Sequence, residues 1–144
     1  MTGASLSAGP GWTFHHLGLA CRAFDSERTA LAAIGYQPVG PEVEDAGLGV
    51  KVCFLEGGGP RIELVAPLLR DGAAVSSILE GWLARGTKIY HIAYTVTDFA
   101  ALVESRLDRK AKLVAGPLPA VAFEGRQVAF FMLRDGLLIE LIEE

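Results

Sequence analysis

The sequence repeats a pair of short motifs, and this repeat constrains the fold more than any other feature. The first half contains His16-Leu-Gly-Leu-Ala, and the second contains His91-Ile-Ala-Tyr-Thr at an offset of 75 residues (91 minus 16). Arg61-Ile-Glu-Leu-Val similarly matches Leu138-Ile-Glu-Leu-Ile, with 77 residues between the two glutamates (140 minus 63). Because two separate motifs agree so closely, the chain is predicted to contain an internal duplication of about 75 residues.

Each half shows the same order of predicted elements: one strand, one helix and three further strands. The first helix is predicted to start at an N-cap formed by Asp25-Ser26 and to end at Gly35, and the second to start at Asp98. Apolar runs bounded by Gly and Pro predict strands at 14–20, 36–39, 49–55 and 61–66, and again at 89–96, 112–115, 126–133 and 137–142. A short helix is predicted at about 74–84, between the halves.

These elements predict one domain built from two modules. Residues 1–12 are small and polar and are expected to form a flexible tail. The domain spans 13–144, with module 1 at about 13–68, a connector at 69–87 and module 2 at about 88–143.

Composition excludes several classes of protein. Hydrophobic residues make up 51% of the 144 residues and the net charge is −4, with no run of Lys and Arg, so neither nucleic acid nor an anionic membrane is an expected partner. No apolar run approaches the roughly 20 residues of a membrane helix. The start of the chain does not read as a signal peptide, and the two cysteines do not form a disulfide framework, so a cytoplasmic protein is expected.

Each half offers one histidine on its first strand and one glutamate on its last strand: His16 with Glu63, and His91 with Glu140. If the halves pair by pseudo-twofold symmetry, these four side chains converge on one point. Two imidazoles and two carboxylates suit one divalent ion such as zinc, nickel, cobalt, iron(II) or manganese, and the carboxylates balance its charge. A six-coordinate ion would retain two open positions for a chelating substrate.

Strand alternation predicts which neighbours face this site. His16 should share a face with Phe14, and His91 with Ile89, whereas His15 should point to the opposite side and lie on the surface. The apolar residues that flank each glutamate should face away from the site and pack on a helix.

Four segments carry a family resemblance: Phe14-His-His-Leu-Gly-Leu-Ala, Gly49-Val-Lys-Val-Cys-Phe-Leu, Arg61-Ile-Glu-Leu-Val-Ala-Pro-Leu and Tyr90-His-Ile-Ala-Tyr-Thr-Val. In this order they resemble the vicinal oxygen chelate superfamily, which includes glyoxalase I, methylmalonyl-CoA epimerase, extradiol dioxygenases and bleomycin-resistance proteins. The similarity is greatest to the epimerase–glyoxalase branch.

The resemblance implies an α+β fold in which two tandem βαβββ modules form a curved, barrel-like mixed sheet around a central metal site. It implies metal ligands at His16, Glu63, His91 and Glu140. It also implies a small-molecule substrate whose two oxygens chelate the ion, with loss of a proton from the adjacent carbon. A homodimer is an expectation from the family alone.

The expected function is a metal-dependent isomerase, epimerase or lyase acting on a small 2-oxo or acyl-thioester substrate. Glu140 is the candidate base, and Glu63 is the candidate on the other substrate face. Some epimerases carry a second acid on the strand after the Gly-Val pair, but here that strand reads Lys51-Val-Cys, which leaves the second proton donor unassigned. The alternatives are a non-catalytic drug-binding protein and, ranked lower, an extradiol-type dioxygenase.

Overall fold

The computed structural model describes residues 11–75 and 78–144, in two similar halves. The first half contains β1 (Trp12–Ala20), α1 (Phe24–Ala32), β2 (Gln37–Asp45), β3 (Val50–Glu56) and β4 (Ile62–Pro67). A connecting segment contains β5 (Leu69–Arg70), β6 (Ala73–Ala74) and α2 (Leu79–Ala84). The second half contains β7 (Ile89–Val96), α3 (Phe99–Arg109), β8 (Ala111–Pro119), a 3₁₀ turn (Val121–Phe123), β9 (Gln127–Leu133) and β10 (Leu138–Glu143).

Eight strands form one mixed sheet in the order β2-β3-β4-β1-β7-β10-β9-β8. The first strands of the two halves, β1 and β7, pair antiparallel at its centre. Each also pairs in parallel with the last strand of its own half, β4 or β10. Because β2 and β8 stay at opposite ends, the sheet curves without closing. The predicted α+β fold and duplicated strand–helix–strand–strand–strand order are confirmed.

Helices α1 and α3 each cover the outer face of their own half, whereas Leu79 of α2 lines the inner side. Ile62 and Leu64, which flank Glu63, belong to a buried cluster with Phe24 of α1. Ile139 and Leu141, which flank Glu140, belong to the equivalent cluster with α3. Burying a side chain of this size contributes about 1.5–3 kcal/mol, so this packing holds each glutamate on the inner face of the sheet.

The structure changes the boundaries of several predicted elements. The first helix begins at Phe24 with Ala23 as its N-cap and no side-chain cap, so the predicted Asp25-Ser26 cap is wrong. Asp25 instead lies in the first turn, where its charge interacts favourably with the helix dipole. Phe24 is buried, and the helix starts two residues earlier than an Asp25 cap would place it. β2 continues through Gly40-Pro41 to Asp45, because an irregularity in its pairing with β3 accommodates this segment.

Part of the predicted organisation falls outside the described ranges. Of the expected tail, residues 1–10 are not described, and Trp12 already belongs to β1. The helix predicted from residue 74 begins at Leu79, after β6 and two residues that are not described. In the described part of the chain, no helix has both the length and the hydropathy that a membrane crossing requires.

Candidate metal centre

Two rows of paired residues bring the four predicted ligands together at the centre of the sheet. In one row, Gly18 of β1 lies opposite both Glu63 of β4 and His91 of β7. In the other, Ala93 of β7 lies opposite both His16 of β1 and Glu140 of β10. Directly opposed residues in neighbouring strands share a face. The duplicated sequence therefore becomes a pseudo-symmetric cluster in which each half contributes one histidine and one glutamate.

The donor atoms of this cluster face one another closely. His16 Nε2 lies 3.0 Å from His91 Nε2, 3.2 Å from Glu63 Oε1 and 3.3 Å from Glu140 Oε1. His91 Nε2 lies 3.6 Å from Glu63 Oε1 and 3.1 Å from Glu140 Oε1. Donors held about 2.1 Å from one ion at octahedral or tetrahedral angles are separated by roughly 3.0–3.4 Å. All four residues are buried, and together they could hold one metal ion.

Unsatisfied polar atoms support this fit. Glu140 Oε1 is buried and makes no hydrogen bond among the described residues, although both imidazoles are near it. Two Nε2 atoms 3.0 Å apart cannot both keep an inward lone pair without a proton or a cation between them. A dication bound by these atoms would satisfy both histidines and balance the charge of the buried carboxylates.

The charges within the cluster favour a protonated imidazole beside ionised carboxylates. Burial alone would lower the pKa of His16, but the Glu63 and Glu140 carboxylates outweigh it and raise that pKa to about 9. Burial opposes ionisation of Glu140, yet the adjacent His16 and His91 lower its pKa to about 2. The cluster therefore holds an ionised carboxylate and a protonated imidazole, and a metal ion must displace that proton.

Two β-bulges place additional side chains on the inner face. The β1–β7 pairing skips one residue at His15 and another at Tyr90, which immediately precede His16 and His91. A bulge rotates the extra residue out of the regular alternation, and this overturns the prediction that His15 points to the opposite side and lies on the surface. Its half-buried ring instead contacts His16, with 2.7 Å between the two Nδ1 atoms.

The same bulges correct two other predictions. Phe14 and Ile89 do not share the inner face with the histidines, since they lie before the bulges and are 44% and 58% exposed.

Burial lowers the pKa of the His15 imidazole to about 4, assisted by the charges of His16 and Arg61.

A cavity of about 480 Å³, counting the part open to solvent, adjoins the cluster. Glu63, Glu140 and the buried Asp45 supply carboxylates to its wall, and the remaining lining residues are mostly apolar. Three aromatic residues line it: Tyr90, Phe123 and Phe130. Tyr94 and Phe131 lie in or against the α3-side cluster.

Asp45 is the charged lining residue that the sequence analysis did not predict. Its Oδ1 accepts a hydrogen bond from the Leu48 backbone N–H, and its Oδ2 accepts one from the Val121 backbone N–H. The first contact is a local turn whose Asp–Gly-rich pattern is visible in the sequence. The second joins the two halves across the cavity and has no sequence signal.

Comparisons with known proteins agree with this architecture. The model of the glyoxalase/bleomycin resistance protein/dioxygenase superfamily matches residues 15–130. An ethylmalonyl-CoA/methylmalonyl-CoA epimerase from Cereibacter sphaeroides is 31% identical over 105 residues, which cover 72% of this chain and 76% of that protein.

Solved structures show the same fold. Methylmalonyl-CoA epimerase from Mycobacterium tuberculosis is 25% identical, with a TM-score of 0.70 over 90% of this chain and 86% of that one. An epimerase variant from Streptomyces coelicolor in complex with 2-nitronate-propionyl-CoA is 23% identical, with a TM-score of 0.70 over 91% and 96% of the two chains. The duplicated fold, its central His/Glu cluster and the match over most of the chain lead to one conclusion: the protein belongs to the glyoxalase/bleomycin resistance protein/dioxygenase superfamily.

Proposed function

We propose that this protein is a metal-dependent epimerase that moves a proton at the carbon beside the carbonyl group of an acyl-CoA thioester. The observation that carries the proposal is the buried His16–Glu63–His91–Glu140 cluster, which opens onto a largely apolar cavity. The relative from Cereibacter sphaeroides, named as an ethylmalonyl-CoA/methylmalonyl-CoA epimerase, supports the substrate class.

The four side chains of the cluster are proposed to hold one divalent ion. When bound, the ion supplies Lewis acidity that stabilises the negative charge developing on the substrate carbonyl oxygen. The apolar walls, which include Val52, Phe123 and Phe130, exclude water and so strengthen charge interactions inside the cavity.

Proton transfer requires an acceptor on one face of the substrate and a donor on the other. Glu140 is the proposed acceptor, and Glu63 is the proposed group on the opposite face. Asp45 adds a third carboxylate to the cavity wall, held in position by two backbone N–H groups. It lies on β2, next to the β3 segment Lys51-Val-Cys, which carries no acid.

Hydrogen exchange tests the proposed reaction. The Co²⁺-loaded protein is incubated with one epimer of methylmalonyl-CoA in D₂O, and deuterium at the α-carbon is followed by mass spectrometry. We expect deuterium incorporation together with loss of optical purity. The Glu140→Gln variant should lose most of this activity, whereas the Glu124→Gln variant, changed at an exposed glutamate outside the cavity, should retain it.

Parallel assays separate the alternatives. Conversion of the glutathione hemithioacetal of methylglyoxal without exchange into methylmalonyl-CoA would replace the epimerase proposal with a glyoxalase-type lyase. Oxygen consumption with a catechol would indicate a dioxygenase. Tight binding of methylmalonyl-CoA without any exchange would refute catalysis and indicate a binding protein.

A further inference from the structure

Tyr90 presents an unpartnered hydroxyl group to the cavity. The residue is the extra position in the β7 bulge, which turns it to the same side as His91, and its ring packs edge-on against the His91 imidazole at 4.5 Å. The side chain is 6% exposed and lines the cavity with Glu63 and Glu140. In the described part of the chain, its hydroxyl has no hydrogen-bond partner.

The hydroxyl is not completely buried inside the protein. Among the described residues, the completely buried side-chain atoms without a partner belong to Glu80, His91 and Glu140. The Tyr90 hydroxyl is absent from this group, so it retains accessible surface, as a group that faces a cavity does. A ligand that fills the cavity displaces solvent from this hydroxyl, so its binding costs free energy unless the ligand itself accepts the hydrogen bond.

The chemistry of the lining makes Tyr90 distinctive. The described lining side chains that carry polar atoms are Asp45, Glu63, Glu140 and Tyr90. The first three are acids, which accept hydrogen bonds when ionised, so Tyr90 is the one side-chain donor in this set. A substrate rich in oxygen would otherwise meet only acceptors on the walls.

We propose that the Tyr90 hydroxyl donates a hydrogen bond to a substrate oxygen that the His/Glu cluster does not bind through its ion. This inference rests on the proposed function and deepens it. A thioester with an α-carboxylate has three oxygens, and two of them suffice to chelate one ion. The third then takes the Tyr90 donor, which selects malonyl-type thioesters over simple acyl thioesters.

Replacement by phenylalanine isolates this role, because Tyr90→Phe keeps the ring against His91 and removes only the donor. The matched control is Tyr94→Phe on the same strand, whose ring packs with Trp12 outside the cavity. Both variants are loaded with Co²⁺, and metal content is measured. Binding of 2-nitronate-propionyl-CoA is then measured by calorimetry, and α-carbon exchange of methylmalonyl-CoA is measured as kcat and KM.

We expect Tyr90→Phe to keep its metal content. It should bind the nitronate about 10- to 100-fold more weakly and lose a similar factor in kcat/KM, because one hydrogen bond to a charged group is removed. Tyr94→Phe should match the unaltered protein in every measurement. If the unaltered protein is active and Tyr90→Phe equals it in both binding and kcat/KM, the Tyr90 inference is wrong and the proposed function stands. If the unaltered protein neither binds the nitronate nor catalyses exchange, both are wrong.

Discussion

A single methyl group at Gly18 should disrupt the metal centre. Gly18 lies directly opposite His91 on the neighbouring strand, and its backbone is not in the left-handed region, so alanine introduces no backbone strain. The added Cβ would lie 2.6 Å from His91 Nε2 and closer still to two other ring atoms. Ordinary contact begins at 3.4 Å, so the ring must retreat by at least 0.8 Å (3.4 minus 2.6).

The His91 ring has little room for this movement. It is 1% exposed, with the Tyr90 ring 4.5 Å away on one side and the Phe130 ring 5.5 Å away on another. Metal–ligand distances tolerate changes of only about 0.2 Å. We therefore expect Gly18→Ala to weaken metal binding at least about 10- to 100-fold, the loss typical of removing an outer-shell partner. Overpacking should also destabilise the fold by about 1–3 kcal/mol.

Metal titration and thermal denaturation measure the two effects. The matched control is Gly58→Ala, since a Cβ at Gly58 meets nothing within 4 Å and its backbone is also outside the left-handed region. The control should bind Co²⁺ and melt like the unaltered protein, whereas the melting temperature of Gly18→Ala should fall by roughly 3–10 °C. A Gly18→Ala protein with unchanged metal affinity and melting temperature would refute the close packing of His91 against β1.

Three further outcomes follow from the site. His91→Ala should reduce the metal content of the purified protein from about one ion per chain to well below it, and elemental analysis showing unchanged content would remove the proposed centre. The metal-free protein should release about one proton for each ion bound at pH 7, because the pKa of His16 is raised to about 9 and the ion displaces its proton. Metal affinity should therefore rise with pH up to about 9 and then level off. Calorimetric heats of metal binding that do not depend on the ionisation enthalpy of the buffer would contradict this. Asp45→Ala leaves the Leu48 and Val121 backbone N–H groups without their partner. The free energy of unfolding measured by urea titration should therefore fall by about 2–4 kcal/mol. A loss below about 0.5 kcal/mol would show that water replaces the carboxylate.

Strand positions and the duplication were predictable because they depend on local periodicity. The strand predicted at 89–96 matches β7 residue for residue, and β3, β4, β9 and β10 are each displaced by about one residue. The expectation that apolar neighbours of Glu63 and Glu140 pack beneath the helices is also confirmed. The assignment of His16, Glu63, His91 and Glu140 as metal ligands remains a prediction, although the structure brings the four together.

The two bulges were not predictable, because a bulge is a property of a strand pair. Strict alternation along β1 sends His15 away from His16, and only the register against β7 shows that one residue is skipped there. The same applies to Tyr90. The role of Asp45 as a link to Val121 likewise requires the two halves to be brought face to face.

The sequence by itself determined which chemical groups this protein contains and that its histidine and glutamate motifs are repeated in the two halves. Both follow from residue identity and the spacing of apolar residues, which are local properties. Only the tertiary structure decided that Gly18 and Ala93 sit opposite the two histidines, and that Tyr90 and Asp45 reach the cavity. The physical reason is that pairing between β1 and β7 joins residues about 75 positions apart, and its register is set by packing over the whole sheet and not by any one segment.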